Sequence, residues 1–201
     1  MVIQKGEEWG EHVHQQGVIC TRDDHEVLSC LAFPIEGDIA RTLGSETRMR
    51  SSTEQFNGRE DWHKLPFDVI EIDIQLEVLR AAAHVRAGHL LWGECHILAN
   101  VAFFKGVRVF AQSHPNDGKV EVLTVSREMK FRQRLLAAVK ARKGSHLPHP
   151  HLSSRQLTND CFLFSRPLPI FVDGKKVGIS KELRISVVAD AINIFIPGDH
   201  K

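Results

Sequence analysis

The chain has 201 residues, of which 42% are hydrophobic and 25% charged, so it is long enough for one domain with a sizeable core. The formal net charge is +1 with histidine neutral, which excludes a strong overall field that would recruit nucleic acid. No apolar run approaches the roughly 20 residues of a spanning helix, and no signal-peptide core follows Met1. Four cysteines without CxxC spacing are typical of the reducing cytoplasm, where we expect the protein to be located.

The N-terminal region is polar. Residues 1–16 predict a frayed tail or a short helix. His12 and His14 offer two metal ligands within it, but two histidines without a third ligand indicate a metal site only weakly. A solvated tail is the simpler interpretation. Short strands are predicted next, at residues 17–21 and 27–33.

A short helix is predicted at residues 39–43. Asp38 is a suitable N-cap for it, and Gly44 can adopt the left-handed conformation that ends a helix. Residues 45–65 are polar and show little periodicity, which predicts a loop or linker. This stretch is the most suitable domain boundary in the chain.

Beyond residue 65 the pattern is that of a sheet. Residues 67–76 alternate between apolar and polar side chains, which predicts a strand with one buried face. Further strands are predicted at residues 81–86, 96–104, 107–112, 160–165, 168–172, 182–189 and 192–196. Many short strands separated by Gly, Pro and Asn favour a mainly β fold, of the β-sandwich or barrel type.

One helix interrupts the strands, at residues 127–143. Ser126 is a suitable N-cap, and Phe131, Leu135 and Val139 recur at four-residue spacing. Seven cations against Glu128 give this segment a local charge of +6: Arg127, Lys130, Arg132, Arg134, Lys140, Arg142 and Lys143. The pattern indicates either a solvated basic face or a surface for phosphate or anionic lipid headgroups.

A loop rich in histidine and proline follows this helix. His146, His149 and His151 are spaced so that they could converge on zinc. The intervening prolines favour an extended segment, for which a proton-titrating surface loop is the alternative interpretation.

Several short motifs occur in an ordered set. Pro115-Asn116-Asp117-Gly118 precedes a strand, Gly144-x-His146 with Pro150 follows the basic helix, and Val172-Asp173-Gly174 precedes the last strands. Asn100 and Gly106 lie ahead of the first motif, and residues 191–197 form an apolar closing strand. In order and spacing this set resembles the C-terminal half of the soluble diacylglycerol kinase and bacterial lipid kinase family, over residues 66–199. The resemblance implies a β-sandwich-like accessory domain.

The resemblance is partial upstream. Residues 33–44 are similar to the family's P-x-G-T-x-N-D-x-A-R-x-L-G segment, which places Asp38 and Arg41 at nucleotide-binding positions. Residues 1–44 would then be a small remnant of a nucleotide-binding-type α/β domain. The family's glycine-rich G-G-D-G-T loop has no counterpart in the sequence. A simple capped helix is the alternative interpretation of residues 38–41.

Family members transfer the γ-phosphoryl group of ATP to a lipid hydroxyl, with Mg²⁺. By resemblance Asp173 is the candidate base, although Lys175 replaces the family's following glutamate. Asp117 matches an aspartate of a magnesium site, beside Asn116 instead of a second aspartate. Both aspartates also precede glycine, which is favourable turn chemistry in its own right. We expect Asp173 in a hairpin or strand end close to Lys175, ion-paired or solvated.

Two functions remain open at this point. One is a lipid kinase, with ATP and Mg²⁺ by resemblance, acting in a reduced form or with a nucleotide-binding partner chain or homo-oligomer. The other is a non-catalytic module that binds lipid or an anionic membrane surface from the cytoplasmic side. The missing glycine-rich loop and Lys175 favour the second function.

Overall fold

The structure is a computed structural model that describes residues 9–45, 61–143 and 148–197. Strands dominate these residues. They are β1 (Glu11–His14), β2 (Ile19–Thr21), β3 (Ala32–Pro34), β4 (Asp61–Ile74), β5 (Glu77–Ala81), β6 (His84–Gly88), β7 (Cys95–Ala99), β8 (Phe103–Phe104), β9 (Val107–Arg108), β10 (Val120–Val125), β11 (Leu152–Leu157), β12 (Asn159–Val172) and β13 (Lys175–Pro197). The helices are a 3₁₀ turn (Glu26–Leu28), α1 (Gly37–Leu43) and α2 (Phe131–Ala141).

Eleven of these strands form one sheet. Its main path runs β1-β4-β13-β12-β6-β7-β10-β11, and β2, β3 and β5 attach at its sides. Strands β8 and β9 form a separate hairpin. Most pairings are antiparallel, which suits strands that follow one another through short turns. The prediction of a mainly β fold is confirmed.

The longest strand is β13, which extends over 23 residues where the sequence predicts two separate strands. It pairs first with β12 and then with β4, and the second ladder is interrupted between Val188 and Ile192. Asp190 lies at that irregularity with a left-handed φ of 51°. A bulge therefore marks the point at which sequence periodicity breaks, while the strand itself continues.

The main core cluster combines strands that are distant in the sheet order. Ile70 and Ile72 of β4 belong to the same buried cluster as Val122 of β10 and Ile170 of β12. Strands separated by several neighbours can share a core only if the sheet curves around it. This arrangement accounts for the near-continuous apolar character of β7, whose five residues are all buried.

The N-terminal strands belong to the same sheet. Strand β1 pairs antiparallel with β4, and β3 pairs parallel with β13 at Ala32 and Ile194. Strand β4 begins at Asp61, so the last five residues of the predicted linker, 61–65, are strand; residues 46–60 lie outside the described residues. The division of the chain at residue 45 remains a prediction.

Both α-helices begin elsewhere than the sequence predicts: α1 begins at Gly37, with Glu36 as its N-cap residue, and not after Asp38. Gly44 ends α1 with φ 71° and donates its N–H to Ala40 O and Arg41 O, as predicted. Helix α2, however, begins at Phe131 and not at residue 127. Ser126 instead closes a turn, accepting the Glu128 N–H on its Oγ (3.2 Å) and the Met129 N–H on its carbonyl (3.1 Å). Gly144 lies outside the described residues.

Neither described α-helix is both long and apolar enough to cross a membrane. Helix α2 has 11 residues and α1 has seven.

Candidate functional site

Asp24 caps α1 from a distant part of the chain. Its carboxylate accepts the N–H groups of Asp38 and Ile39, each at 3.0 Å. These are orphan donors of the first helical turn, so the role that the sequence predicts for Asp38 belongs to Asp24. Burial raises the pKa of the Asp24 carboxyl to about 6, against the lowering effect of the two backbone N–H groups.

The Asp38 carboxylate is directed to the β8–β9 hairpin. It accepts the N–H groups of Lys105 (2.6 Å) and Gly106 (2.8 Å) in the tight turn between the two strands. Arg41 lies 3.4 Å from Asp38 on the same helix. Gly106 has φ 76°, and a Cβ at this position would stand 3.0 Å from the Arg41 guanidinium, so only glycine fits here without a shift.

His84 joins this group from the start of β6. Its Nε2 lies 2.6 Å from Phe103 O, and since a carbonyl can only accept, Nε2 carries the proton. The same nitrogen is 3.9 Å from the Asp38 carboxylate. The imidazole also packs edge-on against Phe104, with ring centroids 5.2 Å apart.

Asp173 fills a nest of backbone donors. It occupies the β12–β13 turn with φ 44°, and its carboxylate accepts the N–H groups of Ala82, Ala83 and His84 at 2.8–2.9 Å. Its side chain is 0% exposed, and His25 Nδ1 is 3.9 Å away. The prediction of a hairpin turn is correct. The predicted solvated or Lys175-paired carboxylate is wrong, because Lys175 pairs with Asp23 at 3.5 Å.

We call Asp24, Asp38, His84 and Asp173 the polar junction. Ligand atoms of Asp24, Asp38 and His84 lie within 4.8 Å of one another, so these three could hold a metal ion by distance alone. Mg²⁺, which the resemblance implies, does not fit them. Their carboxylates already accept backbone N–H groups, and the imidazole donates to a carbonyl, whereas Mg²⁺ requires oxygen ligands in octahedral geometry.

The predicted site residues are therefore only partly brought together. Asp38 and Arg41 lie together, and His84 links Asp38 to Asp173 through its imidazole and its backbone N–H. Sequence reasoning missed both His84 and Asp24. The available signal for Asp24 was the charged turn between two predicted strands, at residues 22–25. The predicted nucleotide contacts, Asp38 and Arg41, are engaged with each other and with the β8–β9 hairpin.

Asp117 belongs to a different cluster. Its carboxylate accepts the Lys119 N–H at 3.0 Å, as expected for a turn aspartate. Burial raises the pKa of Asp117, and Asp68 adds to that rise. Asp68 itself is fully buried and accepts the N–H groups of Gly118 (2.7 Å) and Asp190 (3.0 Å). Asn116 donates to Asp190 (2.8 Å), so this cluster ties β4, β10 and β13 together.

Helix α2 presents its apolar residues to solvent. Phe131 is 53% exposed, and Leu135, Leu136 and Val139 are similarly exposed. The buried positions are Arg134 and Ala141. The four-residue spacing of apolar side chains thus marks the outer face of the helix, opposite to the usual case.

Arg134 explains this orientation. Its Nε donates to Met129 O (2.9 Å), Nη1 to Leu90 O (3.2 Å), and Nη2 to Ser126 O (2.9 Å) and Gly93 O. Burial lowers the pKa of the guanidinium, which still donates in every direction. The helix is therefore fixed to residues 90–93 through a cation, and not through its apolar stripe.

A cavity of about 260 Å³ lies between α2 and the sheet. Its lining is almost wholly apolar and includes Leu90, Ile97, Leu123, Met129, Leu135 and Leu152. Leu91, at 41% exposed, lines its edge, and the adjacent Trp92 is 58% exposed. We call Leu91, Trp92, Phe131, Leu135, Leu136 and Val139 the α2 surface.

The histidine loop is described only in part. His146 lies outside the described residues. His149 Nδ1 accepts the His151 backbone N–H at 3.1 Å, and the centroids of the two imidazole rings are 5.7 Å apart. The zinc site and the titrating loop both remain predictions.

The fold has known counterparts. No family model and no curated protein matches the chain. Solved structures described as diacylglycerol kinases of Bacillus anthracis str. Sterne do match. One has a TM-score of 0.65 at 11% identity over 88% of this chain and 76% of the other; a second has 0.61 at the same identity and coverage. A third has 0.57 at 10% identity over 82% and 66%. The chain therefore has the fold of these kinases.

Proposed function

We propose that this chain binds an acyl lipid at an anionic membrane surface, as the lipid-facing domain of a diacylglycerol-kinase-like fold. The observation that carries the proposal is the apolar cavity beneath α2, opening at a helix that exposes both apolar and cationic side chains. Clustered Trp, Phe and Leu side chains rimmed by Lys and Arg are typical of segments that insert at the headgroup boundary.

The charge of the region supports an anionic partner. Six cations of residues 127–143 are exposed against Glu128: Arg127, Lys130, Arg132, Lys140, Arg142 and Lys143. Arg134, the seventh in the sequence, is bound to backbone carbonyls and does not contribute to this surface. Each cation near an anionic bilayer contributes about 1 kcal/mol at moderate salt.

The lining of the cavity indicates what part of the ligand it takes. Side chains from β7, β10 and α2 contribute to its wall, in which Lys105 and Arg134 are the two charged residues. The Arg134 donors are directed to carbonyls, so they offer little to a polar ligand. An acyl chain matches such a wall, whereas a nucleotide or sugar would leave its own polar groups unpaired.

Vesicle co-sedimentation tests the electrostatic part. The chain is expected to bind phosphatidylcholine vesicles that contain phosphatidylglycerol, and to dissociate as salt rises. Arg132→Glu with Lys140→Glu should reduce partitioning by roughly thirty-fold or more, since two favourable cations are lost. Lys176→Glu with Lys181→Glu is the matched control, because both side chains are exposed on β13. If both double variants lose vesicle binding to the same extent, binding depends on overall charge and not on the α2 surface.

A cavity-narrowing variant tests the acyl-chain part. Ala138 lines the cavity on an exposed turn of α2, so Ala138→Phe reduces its volume without replacing a core side chain. We expect the extra binding produced by diacylglycerol in the vesicles to disappear in this variant, while binding to phosphatidylglycerol remains. Val139→Phe is the control, because Val139 is exposed and does not line the cavity. A diacylglycerol response that survives Ala138→Phe would contradict the proposal.

Phosphoryl transfer is the second candidate, favoured by the contacts of His84 with both Asp38 and Asp173. In the described arrangement Asp173 accepts three N–H groups and is enclosed, so it has no access to a lipid hydroxyl. A kinase would require the β12–β13 turn to release this carboxylate. Incubation of the chain with a separately expressed nucleotide-binding domain, labelled ATP and diacylglycerol tests this candidate through formation of phosphatidic acid.

A further inference from the structure

Four potential metal ligands share one face of the β1–β4 ladder. In the antiparallel register His12 lies opposite His63, and His14 lies opposite Asp61. Directly opposite residues point to the same side of a sheet, and so do alternate residues of one strand. His12, His14, Asp61 and His63 therefore project from the same side. We call them the histidine face.

The histidine face is the solvent side of the ladder. On the opposite side Val13 packs with Trp62, within a buried cluster that includes Phe33 and Phe195. His12, His14 and Asp61 are exposed, and His63 is partly buried. An ion from solvent can reach three of the four side chains without any backbone movement.

His63 is arranged as metal-binding histidines are. Its Nε2 lies 2.8 Å from Trp9 O, and because a carbonyl only accepts, Nε2 carries the proton. Nδ1 is then left with a free lone pair. This atom is enclosed and has no hydrogen-bond partner among the described residues. Metal-ligating histidines usually donate one ring N–H to a carbonyl or carboxylate, which orients the ring and leaves the other nitrogen for the metal.

The remaining members already interact in pairs. The His12 and His63 ring centroids are 4.8 Å apart, and His14 Nδ1 is 2.8 Å from Asp61 Oδ1. The ligand atoms form two pairs and not yet one coordination sphere. His12 and His14 are exposed, so their side chains can change rotamer toward His63 without disturbing the buried core.

We propose that the histidine face binds one divalent transition-metal ion, of which Zn²⁺ is the test case. His12, His14 and His63 supply the imidazole ligands, and Asp61 supplies a carboxylate as fourth ligand or as hydrogen-bond partner of His14. Imidazole nitrogens with one carboxylate suit Zn²⁺ and related ions, and do not suit Mg²⁺ or Ca²⁺. The ion would cross-link β1 to β4. This site is independent of the α2 surface and of the polar junction.

Calorimetry with Zn²⁺ on the full chain, after removal of metal with a chelator, tests the proposal. We expect one equivalent to bind at pH 7.5, and binding to weaken as the pH falls, because protons compete with the metal ion for its ligand atoms. The exposed-residue variants His12→Ala and His14→Ala should each lose at least ten-fold in affinity. Co²⁺ substitution adds an optical readout, because its absorption spectrum reports the coordination geometry.

Two further variants keep the result unambiguous. His149→Ala with His151→Ala is the matched control, since it removes two histidines of the alternative zinc loop and leaves the histidine face intact. His63→Gln tests the enclosed ligand, with circular dichroism to verify folding. The proposal is overturned if the unmodified chain binds no Zn²⁺, if His12→Ala with His14→Ala binds as well as the unmodified chain, or if only the loop variant loses binding.

Discussion

Asp173 and His84 are joined twice. The Asp173 N–H donates to His84 O at 2.9 Å, and the His84 N–H donates to the Asp173 carboxylate at 2.8 Å. The second bond spans 89 residues of sequence and fixes the β12–β13 turn against the start of β6. An aspartate held in this way acts as an internal anion for a nest of backbone donors, which is a structural role.

The first prediction follows from this role. Asp173→Asn should lower the free energy of unfolding by about 2–4 kcal/mol, because the amide group cannot accept from all three N–H groups and presents its own NH₂ to one of them. Asparagine tolerates the left-handed φ of 44°, so backbone strain does not contribute to the loss. Urea denaturation measures the change.

Asp117→Asn is the matched control for this measurement. Asp117 also precedes glycine in a turn, but its carboxylate accepts the N–H of Lys119 alone among the described hydrogen bonds. We expect a change within about 1 kcal/mol. If the two variants lose the same stability, the nest around Asp173 contributes nothing beyond ordinary turn chemistry.

The second prediction concerns Arg134. Arg134→Met removes the donor of four hydrogen bonds to carbonyls and should cost about 3 kcal/mol or more, while detaching residues 90–93 from α2. Hydrogen exchange at residues 90–93 should then accelerate. Arg134→Lys keeps the charge but lacks the planar fork, so an intermediate loss is expected.

Arg132→Met is the matched control on the same helix, because Arg132 is exposed. It should leave both the stability and the exchange at residues 90–93 nearly unchanged. An Arg134→Met variant as stable as Arg132→Met would show that these carbonyls find other partners.

Arg134 also shows where sequence reasoning fails. The spacing of Phe131, Leu135 and Val139 correctly predicts a helix, because local periodicity determines that the segment is amphipathic. It predicts the wrong buried face, since the deciding interactions come from carbonyls of residues 90 and 93, more than 40 positions away. A sequence pattern within the helix cannot predict that those distant carbonyls accept hydrogen bonds from Arg134.

The polar junction shows the same limit. Gly44 as the end of α1 and Asp173 in a hairpin turn follow from local turn chemistry, and both are confirmed. Asp24 as the cap of α1, across 14 residues, does not follow from it. The mainly β fold was predictable from alternation and turn residues, whereas the length of β13 was not, since the bulge at Asp190 interrupts its pattern.

The third prediction is a pH dependence that arises from Asp24. Its pKa is about 6 in the folded chain, against about 4 when unfolded. Between these values the folded state keeps a proton that the unfolded state has lost, so the contribution is present below pH 4 and is lost as pH rises through 6. From pH 4.5 to 7 this group should lower the free energy of unfolding by on the order of 2 kcal/mol.

Asp24→Asn isolates this contribution. The variant retains a side-chain oxygen for one helical N–H but has no proton to lose, so its stability should depend less on pH than that of the unmodified chain. Subtracting the two pH profiles removes the titration of other carboxyls, including Asp68 and Asp117. If the stability of the variant and of the unmodified chain depend on pH in the same way, burial does not raise the pKa of Asp24.

The last prediction separates the two functional candidates through Lys175. The substitution Lys175→Glu introduces the acidic residue that the lipid kinases carry after Asp-Gly. In this structure the Lys175 ammonium pairs with Asp23, and both side chains are about half exposed. An exposed ion pair contributes little to stability, so the variant should lose less than about 1 kcal/mol in its free energy of unfolding.

In the Lys175→Glu variant Asp173 remains enclosed by its three N–H donors. We therefore expect it to form no phosphatidic acid, even with a separately expressed nucleotide-binding domain. Asp173→Asn serves as the matched negative variant for any trace of activity. Phosphorylation by Lys175→Glu that Asp173→Asn abolishes would show that the β12–β13 turn opens, and would favour catalysis over lipid binding alone.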